Sequence, residues 1–275
     1  MSDYKKCLIC SERVVFVFKM IILKKYTVSY FYCDNCGFLK TEKPYWLNEA
    51  YQDAISDSDT GIVKRNIENS KRLIPFLNGI CNPSGEFVDI SGGYGLLTRL
   101  LRDKGFNCFS TDKYCQNIFA KDFEPEDGMK ADCLFAFEVL EHIDNAASFF
   151  KEYFNKFKCK TVIFTTETFD GAPPFMDWWY YSFETGQHIS FYQKRTLQEI
   201  AELLGCKYYR ISNCWHLITD KVLPLYMKQV LLNKYLRLIY SIWLKICCKR
   251  NSKTLEDNYL ILQKQKIGNV KNNIS

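Results

Sequence analysis

The chain has 275 residues, 47% of them apolar and 25% charged, with a formal net charge of +6. That length suits one full α/β domain with a small appendage, and the composition excludes a disordered chain. The charge permits a nucleic-acid, phosphate or anionic-membrane partner without requiring one, and no basic run has the density of a nucleic-acid-binding arm. Thirteen cysteines without a recognisable signal peptide read as reduced thiols of a cytoplasmic protein, with a patterned subset binding metal.

The first pattern comes at once. Cys7, Cys10, Cys33 and Cys36 form two Cys-x-x-Cys pairs. Each pair grips an ion from a tight turn, and two pairs complete a tetrahedral thiolate site with no open position, so structural zinc is expected. The alternating segments Val14 to Leu23 and Tyr26 to Tyr32 would form the hairpin between them. Gly37 supplies a flexible backbone after the second pair. Residues 1–45 are therefore expected to be a zinc-ribbon-like module.

From about residue 60 onward, strand and helix patterns alternate, which predicts a parallel sheet with crossover helices. Ile62 to Leu77 has helical period, with Val63, Ile67, Ser70, Ile74 and Leu77 on one stripe and Pro75 as an early stop. Strands are expected at Glu86–Ile90, Asn107–Thr111, Cys133–Phe137 and Thr161–Thr166. Strand character continues from Tyr208 to about His216, and Asn258–Gln263 is expected as a final strand. Helices are expected at Leu96–Lys104, Asn145–Phe157 and Arg195–Leu204, with Gly105 and Gly205 ending the first and third.

The chemistry concentrates at Asp89-Ile90-Ser91-Gly92-Gly93-Tyr94-Gly95, where a strand enters a glycine-rich turn and a helix starts immediately. Glycine is needed where backbone approaches a ligand or takes positive φ, and the helix N-terminus offers free N–H groups to a carboxylate. Asp112 ends the next strand, about 20 residues on, where a carboxylate accepts ribose hydroxyls. A dinucleotide fingerprint starting at Gly93 would want glycine at position 98, which is Thr98. An adenosyl amino acid therefore fits better than a pyrophosphate.

Asp89 to Gly95 resembles motif I of class I S-adenosylmethionine-dependent methyltransferases. Gly93 and Gly95 match the second and third glycines, and Ser91 stands for the first. The resemblance implies a Rossmann-like, mostly parallel seven-stranded sheet over residues 60–264, interrupted by an amphipathic helical insertion at about 221–250. It implies a cofactor site of Asp89, Ser91, Gly93, Gly95, Asp112, Asp122 and Glu138. Asp112 would hold the ribose and Asp122 would meet the adenine. The run Phe137-Glu138-Val139-Leu140-Glu141-His142 is similar to the segment ending the fourth strand in that superfamily.

The polar-aromatic segment Trp178 to Tyr192, after Pro173-Pro174, either walls an acceptor pocket or fills a core. Within it, Gln187-His188-Ile189-Ser190-Phe191-Tyr192 resembles sugar methyltransferases of polysaccharide and deoxysugar pathways, some of which carry a four-cysteine module. The resemblance implies a sugar, nucleotide-sugar or glycan acceptor in polysaccharide biosynthesis. Gln187 stands where the carbon-methylating enzymes have glutamate, which favours O-methylation. His188 is the candidate base and Glu167 its partner. His142 is assigned to capping, packing or pocket shape, and His216 to structure. Residues 223–250, apolar with spaced Lys and Arg, pack on their own domain or lie on an anionic membrane surface. Two other readings stay open: an RNA methyltransferase with a zinc module, and a non-catalytic binding protein that keeps the fold as scaffold.

Overall fold

The computed structural model describes residues 6–51 and 59–272. In chain order the elements are β1 (Val15–Ile22), β2 (Tyr26–Tyr32), β3 (Leu39–Thr41), α1 (Leu47–Ala50), α2 (Ile62–Gly79), β4 (Glu86–Ile90), α3 (Leu96–Arg102), β5 (Asn107–Thr111), β6 (Cys133–Ala136), α4 (Ala146–Phe157), β7 (Thr161–Thr165), β8 (Ser190–Phe191), α5 (Lys194–Leu203), β9 (Lys207–Arg210), β10 (Trp215–Thr219), α6 (Leu225–Leu232), α7 (Lys234–Cys247) and α8 (Thr254–Asn272). Single 3-10 turns lie at Leu140–His142 and Trp179–Tyr181. The chain forms two compact units. The first combines residues up to Thr60 with Cys133–Pro224, and the second combines Gly61–Asp132 with Leu225 onward.

In the first unit, β1, β2, β3 and β8 form an antiparallel sheet. The strand after His188 is thus the fourth strand of the cysteine module's own sheet. A second set runs β6-β7-β10-β9, with β6 and β7 parallel and β10 antiparallel to both neighbours. Every residue of β6, β7 and β10 is buried, as expected of strands covered on both faces. The strand expected over Tyr208–His216 is instead the hairpin of β9 and β10. Asn213 lies in its turn, where the chain reverses. Helix α4 starts where expected. The Asn145 side chain accepts the Ser148 N–H at 3.0 Å, and Phe150, Phe154 and Phe157 are buried on one stripe.

In the second unit, β4 and β5 run parallel with Asp89 opposite Ser110. Pro75 does not end α2, which continues to Gly79. Proline removes one N–H, but burial of Leu73, Phe76 and Leu77 outweighs that loss. The buried stripe is correspondingly shifted, and Val63 and Ile67 are exposed. The final strand expected at Asn258–Gln263 lies inside α8. Glu256 and Asp257 stand in the first turn of α8, favourable at a helix N-terminus. Asp257 is also buried against Arg102, which donates to it from Nε at 2.8 Å. The seven-stranded expectation therefore reduces, among the described residues, to two strands beside the glycine turn and four in the first unit. No helix among the described residues is long and apolar enough to cross a membrane.

Candidate functional site

The glycine turn is built from backbone. Ser91 and Gly92 donate their N–H groups to the Thr111 carbonyl at 2.7 and 3.2 Å, which fixes the end of β4 against β5. Ser91 has φ of +65°, Gly93 +57° and Gly95 +80°. Ser91 thus adopts the left-handed conformation expected of the glycine it replaces. This is a local strain of the kind stored at ligand sites. Gly92 is required by crowding. A Cβ there would stand 2.4 Å from Ser110 Oγ and 2.7 Å from Asp89 Oδ2. At Gly93 a Cβ would meet nothing within 4 Å. Its bare backbone therefore faces open space, as a cradle for a ligand requires.

Asp112 stands at the edge of this cradle. Its Oδ2 accepts the Gly93 N–H at 3.0 Å, and its Oδ1 accepts those of Tyr114 and Cys115 at 2.7 and 2.8 Å. Asp89 is buried beneath the turn, and its carboxyl is pushed up to about 8 by burial, with the Asp112 charge adding to the shift. Asp122 is exposed in a turn with φ of +71°. Asn117, which the sequence did not suggest, braces the site. It accepts the Ala120 N–H and donates to the Ala120 carbonyl and to Glu124, and its Oδ1 lies where a Gly95 Cβ would collide.

The first unit holds a cluster of side chains. Its scaffold is a lacing of residues 187–192 onto residues 139–143. Ile189 N–H donates to the Glu141 carbonyl, Ser190 Oγ to the Ile143 carbonyl and Tyr192 OH to the Leu140 carbonyl. The result places His142 and His188 ring to ring, 4.9 Å apart and edge-on. His142 Nδ1 lies 3.1 Å from the Gln187 carbonyl, and His188 Nδ1 lies 2.7 Å from the Tyr180 carbonyl. A carbonyl only accepts, so each Nδ1 carries the proton and each neutral ring keeps its lone pair on Nε2. Burial lowers both imidazoles, His188 to about 4 with His142 adding to the shift.

Glu141 is fully buried and its carboxyl is raised to about 7, first by burial and then by Glu138. Neither of its oxygens has a partner in hydrogen-bonding geometry among the described residues, although the Tyr180 hydroxyl is close enough to lower its pKa. Glu138 has φ of +55°, held by Thr165, whose hydroxyl accepts the Glu138 N–H at 2.9 Å and donates to its Oε1 at 2.7 Å. Glu167 is half-buried. Its N–H donates to the Tyr180 hydroxyl at 3.1 Å, and its carboxyl is raised by burial and by Glu138. Glu167 and His188 thus meet the same tyrosine. His216 lies between Tyr208 and the Thr166 carbonyl, a structural histidine as expected.

The four cysteines also gather. Cys7 Sγ lies 3.5 Å from Cys36 Sγ, and Cys10 Sγ lies 3.4 Å from Cys33 Sγ. The two turns are closed by Ser11 N–H to the Cys7 carbonyl and Gly37 N–H to the Cys33 carbonyl. The Cys36 hydrogen bond holds the Cys7 thiol down to about 5, while burial raises Cys33 to about 11. Helix α5 braces the second turn. Thr196 Oγ donates to the Cys36 carbonyl, and Arg195 to the carbonyls of Asp34 and Asn35.

A family model described as a methyltransferase domain matches residues 63–211. The chain belongs to the methyltransferase domain family. Among solved structures, the chain is similar to CalO1, a methyltransferase in calicheamicin biosynthesis in its SAH-bound form. That match has 10% identity and a TM-score of 0.42, and covers 63% of this chain and 61% of the other. It is also similar to the mitomycin 7-O-methyltransferase MmcR, at 13% identity and TM-score 0.43, covering 63% and 59%. A third is magnesium protoporphyrin IX methyltransferase from Synechocystis PCC 6803 with bound SAM, at 12% identity and TM-score 0.39, covering 64% and 90%. The chain thus spans about three-fifths of the length of the first two. No curated protein matches it.

In this methyltransferase domain much of the aromatic segment packs into a core. Tyr180, Tyr181 and Phe191 are buried with Tyr30, Tyr32 and Trp46 of the cysteine module, while Trp179 is 73% exposed. Glu141 was missed at the sequence level. Its signal was local: a carboxylate between two apolar residues and a histidine at the end of a buried strand.

Proposed function

We propose that the protein transfers a methyl group from S-adenosylmethionine to a hydroxyl of a sugar, nucleotide-sugar or glycan acceptor. The observation that carries this reading is the open backbone at Gly93 with the Asp112 carboxylate at its edge, inside a methyltransferase domain. Gly93 and Gly95 leave room for the amino-acid part of the cofactor, and Asp112 accepts its ribose hydroxyls. Ser91 and Asp89 shape the turn, and the resemblance assigns Glu138 to the cofactor and Asp122 to the adenine. The cofactor supplies an already activated methyl group, so the chain must position the acceptor and remove a proton. His188, with a free lone pair on Nε2, is the base, and Glu167 orients the acceptor. The sugar class is supported by the resemblance of Gln187 to Tyr192.

Cys7, Cys10, Cys33 and Cys36 hold structural zinc in this reading. Sulfur separations near 3.5 Å suit a tetrahedral tetrathiolate site, in which about 3.8 Å is expected at Zn–S of about 2.3 Å. A peripheral membrane contact is supported by α6 and α7. Residues 221–250 hold seven Lys and Arg and no Asp or Glu, and Leu238, Ile239, Ile242, Trp243 and Ile246 are all exposed. Flotation on anionic vesicles but not on neutral ones is expected, and equal recovery with both would end that part of the reading.

The main test is transfer from labelled S-adenosylmethionine into a cell extract, with small molecules, glycans and RNA then separated. Label in nucleotide sugars or glycans is expected. Label in RNA alone would replace the acceptor class, and failure of the pure protein to bind the cofactor would remove the activity.

A further inference from the structure

We propose that Glu141, His142 and His188 form a binding site for one divalent first-row transition-metal ion, separate from the four cysteines. One ligand atom from each lies within 4.8 Å of the other two. Tetrahedral coordination with bonds of about 2.1 Å wants ligand atoms about 3.4 Å apart, so a small inward movement of these side chains closes the site.

Three further features fit an ion better than an empty cluster. Both imidazoles donate Nδ1–H to a backbone carbonyl, Gln187 for His142 and Tyr180 for His188. This is the arrangement that fixes ring orientation and tautomer in metal-binding histidines, and it leaves both Nε2 lone pairs free. Glu141 is sealed from solvent, yet neither of its oxygens is matched by a donor in hydrogen-bonding geometry among the described residues. A buried carboxylate in that state is costly unless a cation or a proton meets it. Finally, the lacing between residues 139–143 and 187–192 holds together the two segments that carry the three side chains before any ion arrives.

The ligand set also selects the ion. Two imidazoles and one carboxylate suit zinc, iron, manganese or cobalt, whereas magnesium prefers an all-oxygen shell. Three protein ligands leave at least one position open, as in catalytic and not structural sites. An acceptor hydroxyl placed there would become more acidic. In that state His188 is a ligand and not a base, because both roles use the same Nε2.

The test is titration of the metal-free, reduced full-length protein with Co²⁺, followed by visible absorption and equilibrium binding. Binding is read without turnover, so its outcome is independent of the role of His188 as base. One equivalent is expected with an intense thiolate charge-transfer band, from the cysteines. A second is expected with weak d–d bands alone. Glu141→Gln and His188→Gln should each weaken the second equivalent at least tenfold while keeping the thiolate band, which also reports that the first unit is folded. If a variant loses that band, His142→Gln takes its place. The proposal fails if the wild-type protein takes up no equivalent lacking the thiolate band. It fails equally if that equivalent keeps its affinity in the folded variants. A single equivalent with only d–d bands would support this site and remove zinc from the cysteines.

Discussion

The turn between β4 and α3 presents backbone, whereas the cluster around Glu141 presents side chains. At the turn, the decisive groups are N–H donors, positive φ angles and missing Cβ atoms within a few consecutive residues. At the cluster, they are two imidazoles and several carboxylates brought from β6, β7 and the segment before β8. A backbone site tolerates little substitution but is simple to recognise. A side-chain site depends on long-range folding, and its burial changes the protonation of every member.

Replacing one side chain in each region sharpens this contrast. Asp112→Ala removes the carboxylate proposed to hold the ribose and releases three N–H groups at once. The affinity for S-adenosylmethionine should fall about 100-fold by calorimetry, equivalent to about 2.7 kcal/mol. Unchanged affinity would mean that the cradle at Gly93 alone carries binding. His188→Ala should do the reverse, leaving affinity in place and lowering turnover about 100-fold. Full turnover in that variant would exclude His188 from proton removal, whether as a base or through an ion.

The smallest effect at any single pH step belongs to Asp89. Its folded pKa of about 8 lies above the ordinary 3.8. Between these values the folded chain keeps a proton that the unfolded chain has released. Stability should therefore fall with rising pH across that window, by up to about 1.4 kcal/mol per pH unit. Asp89→Asn cannot ionise. Its unfolding midpoint should match the wild type near pH 4 and exceed it increasingly towards pH 8. Parallel curves for the two proteins would show that the carboxylate is ionised in the fold.

The same contrast explains what the sequence made legible. Ser91, Gly92, Gly93 and Gly95 lie together in the chain, and their pattern states the conformation they adopt. The four cysteines also announce themselves by spacing. The neighbour relation of Glu141 to His188 was hidden, because hydrogen bonds between separate segments create it. The α8 segment misled through composition. Tyr259-Leu260-Ile261-Leu262 reads as a strand, yet the preceding acidic turn and the Arg102–Asp257 pair hold it as a helix. Pro75 misled for a similar reason, since packing on one face of α2 overrides a local breaker.

The pairing of β3 with β8 carries a consequence for synthesis on the ribosome. Lys40 pairs with Ser190, so the cysteine module's sheet joins residues 150 positions apart. At translation rates of about 5–20 residues per second, β3 emerges roughly 8–30 s before its partner. During that interval Thr196 and Arg195 are also missing from the second cysteine turn. The nascent thiols must meanwhile stay reduced with an unfinished edge strand beside them. Chaperone binding or early metal capture would then govern the yield of correctly assembled chain.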